Sequence, residues 1–160
     1  MSQTFCSGSY HSLFIDDQQN LWACGLNDRG QLGVGDDNNR KPTKLTLSMF
    51  VCSVYAGISS TFFLDEYGFV WGCGHNECGK LGLGHCAAKT EPEKIMTLAN
   101  IISVSVGYFH SLFLDESGVV WASGRNVVGE IGAGKLIKQH TEPTRVTLPN
   151  IRMISAGEYH

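Results

Sequence analysis

The sequence predicts an all-β protein, a β-propeller segment of about three blades, each a four-stranded antiparallel sheet. The same pattern opens at Gly8, Gly57, Gly107 and Gly157, and a period of about 50 residues is typical of repeat architectures. Within each repeat the apolar residues form short runs bounded by Gly, Asp or Asn. No run has the length or the periodicity of a helix, so these runs predict short strands, four in each repeat.

The second repeat shows the predicted strands most clearly. We expect strands over Phe50 to Ala56, Thr61 to Leu64 and Phe69 to Cys73, and a shorter strand near Glu93 to Met96. The second of these strands has apolar residues at successive positions, which predicts a strand that is covered on both faces. Radial packing of four-stranded sheets around an axis supplies that cover.

The repeats divide a single domain, 1–160, into units of similar length. We place the units at approximately 1–49, 50–99 and 100–149, and we interpret 150–160 as the first strand of a fourth. The turn between the second and third strands contains Gly68 or Gly118, which supplies the positive φ of a tight hairpin. In the first unit we expect Asn20 to take this left-handed position.

The composition is that of an ordinary soluble globular protein, with 42% hydrophobic residues among 160 and a formal net charge of −3. Because like charges do not cluster, we expect neither nucleic acid nor an anionic membrane as the main partner. Residues 1–7 are uncharged, and no apolar stretch approaches the length of a membrane span. We therefore expect a cytoplasmic or nuclear location, where the six cysteines would stay free thiols.

The residue types of a nucleophilic triad occur in the first repeat, as His11-Ser12 with Asp16, and again in the third. A catalytic constellation normally occurs once and converges from distant segments, whereas this motif recurs. We therefore interpret these residues as hydrogen-bonding groups that tie strands and turns together. The Gly-x-x-Gly-x-Gly sequence that starts at Gly30 precedes no helix, so we interpret it as a turn and not as a phosphate-binding loop.

Two further groups of residues have a structural and a functional interpretation. Trp22, Trp71 and Trp121 occupy one repeat position, and we expect them to pack between blades.

Residue types that bind metals cluster in the second repeat alone. They are Cys73, His75, Cys78, His85 and Cys86. Zinc would need four of them to converge, and their spacing matches no standard zinc motif, so zinc binding is a remote alternative and no other cofactor is expected.

The repeated motif is long and specific. Its fullest copy combines His110-Ser111-Leu112-Phe113-Leu114-Asp115 and Gly118-Val119-Val120-Trp121 of the third repeat with Gly25-Leu26-Asn27 and Gly30-Gln31-Leu32-Gly33-Val34-Gly35 of the first. A downstream proline is present at Pro42, Pro92 and Pro143. This pattern closely resembles the regulator-of-chromosome-condensation repeat family, nearly from end to end of the chain.

The resemblance implies a propeller that usually has seven blades and shares strands between its ends to close the ring. Three blades and one strand fall short of the four blades that a closed ring typically needs. We therefore expect additional blades, from the same chain or from another, because an open propeller would expose apolar faces. The motif is specific for the fold and only weakly informative about function.

In a repeat protein, recognition falls to positions that differ between repeats along one edge. The candidates for partner binding are Asp28, Arg29, His75, Glu77, Arg125 and Val127. We interpret them as contacts of a protein-protein interaction scaffold or regulatory module without a catalytic site of its own. The alternative that the resemblance implies is guanine-nucleotide exchange on a Ran-like small GTPase by a wedging loop. None of the three repeats contains an inserted wedge hairpin, and the N-terminus has no basic tail, which argues against this alternative.

Overall fold

The computed structural model describes residues 4–134 and 137–160, which form three four-stranded antiparallel sheets. Each sheet is one blade, and its strands pair in chain order. Blade 1 comprises β1 (Phe5–Ser7), β2 (His11–Ile15), β3 (Leu21–Gly25) and β4 (Arg40–Leu45). Blade 2 comprises β5 (Val51–Ala56), β6 (Ser60–Asp65), β7 (Val70–Gly74) and β8 (Lys89–Lys94), and blade 3 comprises β9 (Ile101–Val106), β10 (His110–Asp115), β11 (Val120–Arg125) and β12 (Gln139–Val146). The described residues contain no helix long and apolar enough to cross a membrane.

The all-β fold of four-stranded blades is confirmed, and three of the four strands predicted for the second repeat agree within one residue. The fourth strand, which we predicted near Glu93 to Met96, is present but lies earlier in the chain, since β8 begins where Lys89 pairs with Gly74. Ile95, whose apolar side chain suggested a strand, follows β8 and is fully buried. Its N–H donates to the Val70 carbonyl at 2.9 Å, so this residue anchors the end of the sheet to the core.

Residues 150–160, which we predicted as the first strand of a fourth unit, include no strand in the structure. They follow blade 3 instead: the Ile151 N–H donates to the Gly118 carbonyl at 3.0 Å, and the Glu158 carbonyl accepts from Tyr108 N–H at 2.9 Å. Ile151 and Ile154 pack against the blade 3 core. A strand requires a hydrogen-bonded partner strand, and no second strand of this unit pairs with these residues in the described chain.

The two faces of blade 2 are covered by its two neighbours. Side chains alternate between the faces of a strand, so Phe63 packs with blade 1 while Phe62 packs with blade 3. The ring of Phe62 meets the ring of Phe113 edge to face, with 5.6 Å between centroids. We call the face of a blade that carries Phe63, or its equivalents Phe14 and Phe113, the leading face, and the opposite face the trailing face. Each junction therefore joins the trailing face of one blade to the leading face of the next.

Polar side chains tie the blades together at these junctions. Nε2 of His11 lies 3.0 Å from Oγ1 of Thr61, which donates to the Gln31 carbonyl at 2.7 Å. At the next junction, Ser123, which stands at the repeat position of Cys73, donates to the Lys80 carbonyl at 3.0 Å. Burial, with the positive charge of Lys80 nearby, lowers the pKa of His11 to about 4, so the ring is neutral at physiological pH. The structural role that we predicted for His11 is confirmed.

A second recurrent interaction closes the turn between the second and third strands. One carboxylate oxygen of Asp65 accepts the backbone N–H groups of Tyr67 and Phe69 at 3.0 and 2.9 Å, and the other accepts Nε1–H of Trp71 at 3.0 Å. The same arrangement recurs at Asp16 and Asp115. The repeated aspartate is therefore a turn residue that orients the tryptophan. Hydrogen bonds from Trp22 and Asn20 lower the pKa of Asp16 to about 2.

The turn of the first unit differs from our prediction. The left-handed residue is Gln19, with φ of 64°, and not Asn20. The N–H of Asn20 donates to Asp16, as the N–H of Phe69 donates to Asp65, so Asn20 is the equivalent of Phe69. Gln19 therefore stands at the position of Gly68 and adopts its conformation.

Trp71 packs against the core between blades 1 and 2, and Trp121 packs against the core between blades 2 and 3, as predicted. Replacing Trp71 with Ala removes both this packing and the bond to Asp65, so we expect the free energy of unfolding to fall by about 3–5 kcal/mol. Trp71→Phe keeps most of the packing, and its loss should be about 1–2 kcal/mol. Denaturant unfolding measures both values, and an Ala variant as stable as the wild type would contradict the assignment.

Candidate interaction rim

Two sets of loops lie at the same end of the three sheets, because antiparallel strands place alternate connections at opposite ends. One set joins the first strand to the second in each blade (8–10, 57–59 and 107–109), and the other lies between the third strand and the fourth (26–39, 75–88, and the described residues 126–134 and 137–138). We call this end of the molecule the loop rim. The opposite end carries the aspartate turns, among them the turn with Tyr67.

A groove with a volume of about 360 Å³ opens on the loop rim between blades 1 and 2. It is lined by Tyr10, Leu26, Asp28, Arg29, Ile58, Ser59, His75, Glu77, Lys80 and Tyr108. Four of the six residues selected from the sequence, Asp28, Arg29, His75 and Glu77, meet in this groove. The other two lie outside it in blade 3: Arg125 is the last residue of β11, and Val127 is on the loop that follows.

A buried asparagine holds each long loop in place. Oδ1 of Asn27 accepts the N–H of Leu32 at 2.9 Å, while its Nδ2 donates to the Asp36 carbonyl at 2.8 Å. Asn76 makes the same pair of bonds to Leu81 and His85, both at 2.8 Å. Because the asparagine side chain bonds to backbone groups on both arms of the loop, it holds the loop in one conformation. The residues that follow the asparagine, such as Asp28 and Glu77, then project into solvent. Residues that differ between repeats are thus presented on a rigid support.

The acidic side chains of the rim are engaged by neighbours. Glu77 lies 3.3 Å from Nε2 of His75, and Glu130 lies 3.3 Å from Nε of Arg125. Asp28 accepts a hydrogen bond from Gln31 at 3.3 Å. These contacts fix the positions of the acidic groups, of which Glu77 is exposed and Glu130 is buried. An exposed pair such as Glu77 with His75 contributes little to stability.

Lys80 is an unusual member of this groove because its side chain is buried, with a relative exposure of 1%. Its Nζ donates to the Tyr108 carbonyl at 2.9 Å and forms no ion pair within the described residues. Burial lowers its pKa from 10.5 to about 8, while the negative charge of Glu77 acts in the opposite direction. The pKa of His75 is lowered by burial and by Lys80. The centre of the rim therefore holds one buried cation beside a neutral histidine.

Aromatic side chains on the short loops were missed by the sequence reasoning. Tyr10 is 72% exposed, and the rings of Tyr108 and Tyr159 stack with 5.7 Å between centroids. The guanidinium of Arg125 lies over the ring of Phe109 at 5.5 Å. The two positions after the first glycine of each repeat differ between repeats, and comparing them would have identified these residues.

The zinc alternative is not supported by the positions of its candidate ligands. The thiol of Cys73 is buried at the junction with blade 1, 3.6 Å from the Gln31 carbonyl, and burial raises its pKa. His85 interacts with Asn76, and Cys86 is exposed. In the part of the chain that the structure describes, no three His, Cys, Asp or Glu side chains come together as metal ligands.

The fold and the rim define a repeat propeller that presents variable loops on a uniform scaffold. Models of the regulator of chromosome condensation (RCC1) repeat match residues 19–64 and 67–114, and a second model of this repeat matches residues 3–31 and 101–130. The chain therefore belongs to the regulator of chromosome condensation repeat family. A comparison with curated proteins gives no match.

Solved structures show the same fold. The chain is similar to Prp20p from Saccharomyces cerevisiae, with 24% identity and a TM-score of 0.87 over 96% of this chain and 41% of that one. It is similar to human WBSCR16, with 22% identity and a TM-score of 0.84 over 96% of this chain and 42% of that one. The chain thus spans about two-fifths of the length of these structures.

The buried charge of Lys80 predicts a pH dependence of stability. The unfolded chain binds a proton at Lys80 up to pH 10.5, whereas the folded chain releases it near pH 8. The free energy of unfolding therefore rises between these values, by up to about 3 kcal/mol, because the cost of burying the charge disappears.

Lys80→Gln introduces the residue that blade 1 has at this position, Gln31, and serves as the reference. We expect the variant to be more stable than the wild type at pH 7, with a difference that shrinks as the pH rises through this window. Denaturant titrations at several pH values measure the difference. A constant difference would show that Lys80 is not a buried cation.

Proposed function

We propose that this chain is a non-catalytic protein-interaction module that binds its partner through the loop rim, in the cytoplasm or the nucleus. The observation that carries the proposal is the groove between blades 1 and 2, where four of the residues that differ between repeats converge. The repeated His11 and Asp16 are engaged in junction and turn contacts, which leaves the variable loops for recognition. We therefore assign partner binding to the loop rim, and we assign the stability of the blades to the repeated positions.

The chemistry of the rim suits a protein partner. Tyrosine and arginine are enriched among the residues that dominate binding energy at protein interfaces. Tyr10 and Tyr159 are exposed, and Arg125 is held against Phe109. The long loops beside them are held by the buried Asn27 and Asn76. The side chains on those loops, such as Asp28 and Glu77, therefore lose little freedom on binding, which favours affinity.

Guanine-nucleotide exchange on a Ran-like small GTPase is the second candidate. The observation that favours it is the similarity to Prp20p, whose crystal structure is described together with its binding to Gsp1p and histones. A further structure shows yeast RCC1 (Prp20) bound to Kap60. Identity below 25% supports the fold and not the activity, so we rank exchange behind a general docking role.

Two tyrosines provide a matched test of the docking role. Tyr10, on the loop rim, is 72% exposed, and Tyr67, on the opposite end, is 71% exposed. We expect Tyr10→Ala to lose partner proteins that the wild type and Tyr67→Ala both capture from cell extract, as quantified by mass spectrometry. Equal loss in both variants, or in neither, would contradict the assignment of the rim.

A nucleotide-release assay distinguishes the two candidate functions. We expect the chain to leave the release of fluorescent GDP from purified Ran unchanged, because a docking module does not open the nucleotide site. Acceleration by the wild type that Tyr10→Ala abolishes would instead assign exchange to the same rim.

A further inference from the structure

Blade 2 differs from its neighbours at one position of the loop rim. Gln31 and Glu130, which stand at this repeat position in blades 1 and 3, each accept the backbone N–H of the residue two places earlier, at 3.0 and 2.8 Å. Lys80, their equivalent, has no acceptor atom on its side chain and cannot make this bond. Its Nζ reaches across to blade 3 instead and donates to the Tyr108 carbonyl at 2.9 Å. Blade 2 therefore gives up a local bond, and departures of this kind concentrate at functional sites.

The ammonium group of Lys80 is buried without a counterion in the part of the chain that the structure describes. An ammonium has three N–H groups to donate, and the Tyr108 carbonyl accepts one of them. Glu77, whose charge acts on Lys80, is paired with His75 at 3.3 Å and is 62% exposed. A buried charge that lacks a partner costs free energy, and an anion placed beside it recovers part of that cost. Because burial lowers the pKa of Lys80 only to about 8, the groove contains a cation at physiological pH.

The groove that Lys80 lines has the size and the lining for one inserted side chain. Its volume of about 360 Å³ is at the small end of the range of about 300–1,000 Å³ for sites that hold whole ligands. Leu26 and Ile58 supply apolar surface, and Tyr10 supplies an exposed ring. Arg29, which also lines the groove, is exposed and forms no ion pair with another described residue. A side chain with an apolar stem and an anionic end matches this lining.

We propose that this groove binds an acidic side chain, Asp or Glu, of the protein partner, and that its carboxylate pairs with Lys80. The inference rests on the docking role proposed for the loop rim, and it specifies a residue that the partner carries. A carboxylate fits better than a phosphate, because Asp28 and Glu77 also line the groove and would repel a group of nearly two charges. One carboxylate balances the one buried cation, and Arg29 adds attraction.

Peptides selected from a random library displayed on phage test the proposal, with the purified 160-residue chain as bait. We expect the peptides that bind the wild type and lose affinity for Tyr10→Ala to share an Asp or a Glu. Replacing this residue with Asn or Gln should weaken binding to the wild type by about tenfold or more.

The same peptides on two lysine variants complete a double-mutant cycle. Lys80→Gln should lower the affinity of the original peptide by a similar factor and should no longer respond to the change in the peptide. Lys44→Gln, which removes an exposed lysine of β4 outside the groove, is the control and should bind like the wild type.

The pH dependence of peptide binding is a second readout, and it needs only the wild type. Near Lys80 the pKa values of His11, His75 and His110 are lowered and that of Cys78 is raised, which places these titrations outside the interval from about pH 7 to 9. The carboxylates and the guanidinium of the groove are charged throughout this interval, and tyrosines titrate above it. Affinity should therefore fall above about pH 8 by up to about tenfold per pH unit, as Lys80 loses the proton that the ion pair needs. The peptide with Gln in place of Glu should show no such fall.

The outcomes separate this inference from the docking role. Peptides that depend on Tyr10 but share no acidic residue, or an acidic residue that matters equally to the wild type and to Lys80→Gln, would overturn the pairing and leave the docking role in place. A synthetic peptide that binds more tightly with phosphoserine in place of its acidic residue would overturn it in favour of a phosphorylated partner. Peptides that bind Tyr10→Ala as tightly as the wild type, or a library that yields no binder, would overturn both. If Lys80→Gln fails to fold by circular dichroism, the peptide substitution and the pH profile still decide.

Discussion

The packing of one sheet against the next is the interaction on which the rest of this structure depends. Each blade is a single four-stranded sheet with two apolar faces, and a sheet of that kind is stable only when both faces are covered. Phe62 and Phe63 are successive residues of β6, yet they belong to two different cores. Blade 2 therefore has no core of its own, and its stability arises from the junctions with its neighbours.

The repeated residues follow from this constraint. His11 and Thr61 satisfy polar groups that a junction buries, and Asp65 fixes both the turn and the tryptophan that packs beside it. Because these positions serve the junctions, they are unavailable for recognition in every repeat. In the proposed docking role, specificity is then left to the loops that Asn27 and Asn76 hold in place, and these loops meet at one end of the sheets.

Much of the fold could be predicted from the sequence because it is encoded by local spacing. The glycine period, the apolar runs and the turn residues predicted the blades and three strands of the second repeat. The fourth strand was placed too late in the chain because the apolar side chain of Ile95 packs in the core after the strand has ended. The rim was predicted in part: Asp28 and His75 were found by comparing repeats. The burial of Lys80 depends on a contact between blades, and the stack of Tyr108 on Tyr159 depends on a contact of blade 3 with the tail. Spacing within one repeat encodes neither contact.

Stability in this chain arises at the junctions between blades. The number of neighbouring blades that cover a sheet, and not the sequence of that sheet, therefore decides its resistance to local unfolding. Amide hydrogen exchange in the 160-residue chain tests this most directly, because blade 2 is covered by a neighbouring blade on both faces. The account predicts that the amides of β6 in blade 2, which is covered on both faces, exchange more slowly than those of β2 and β10. Equal protection in the three blades would contradict it.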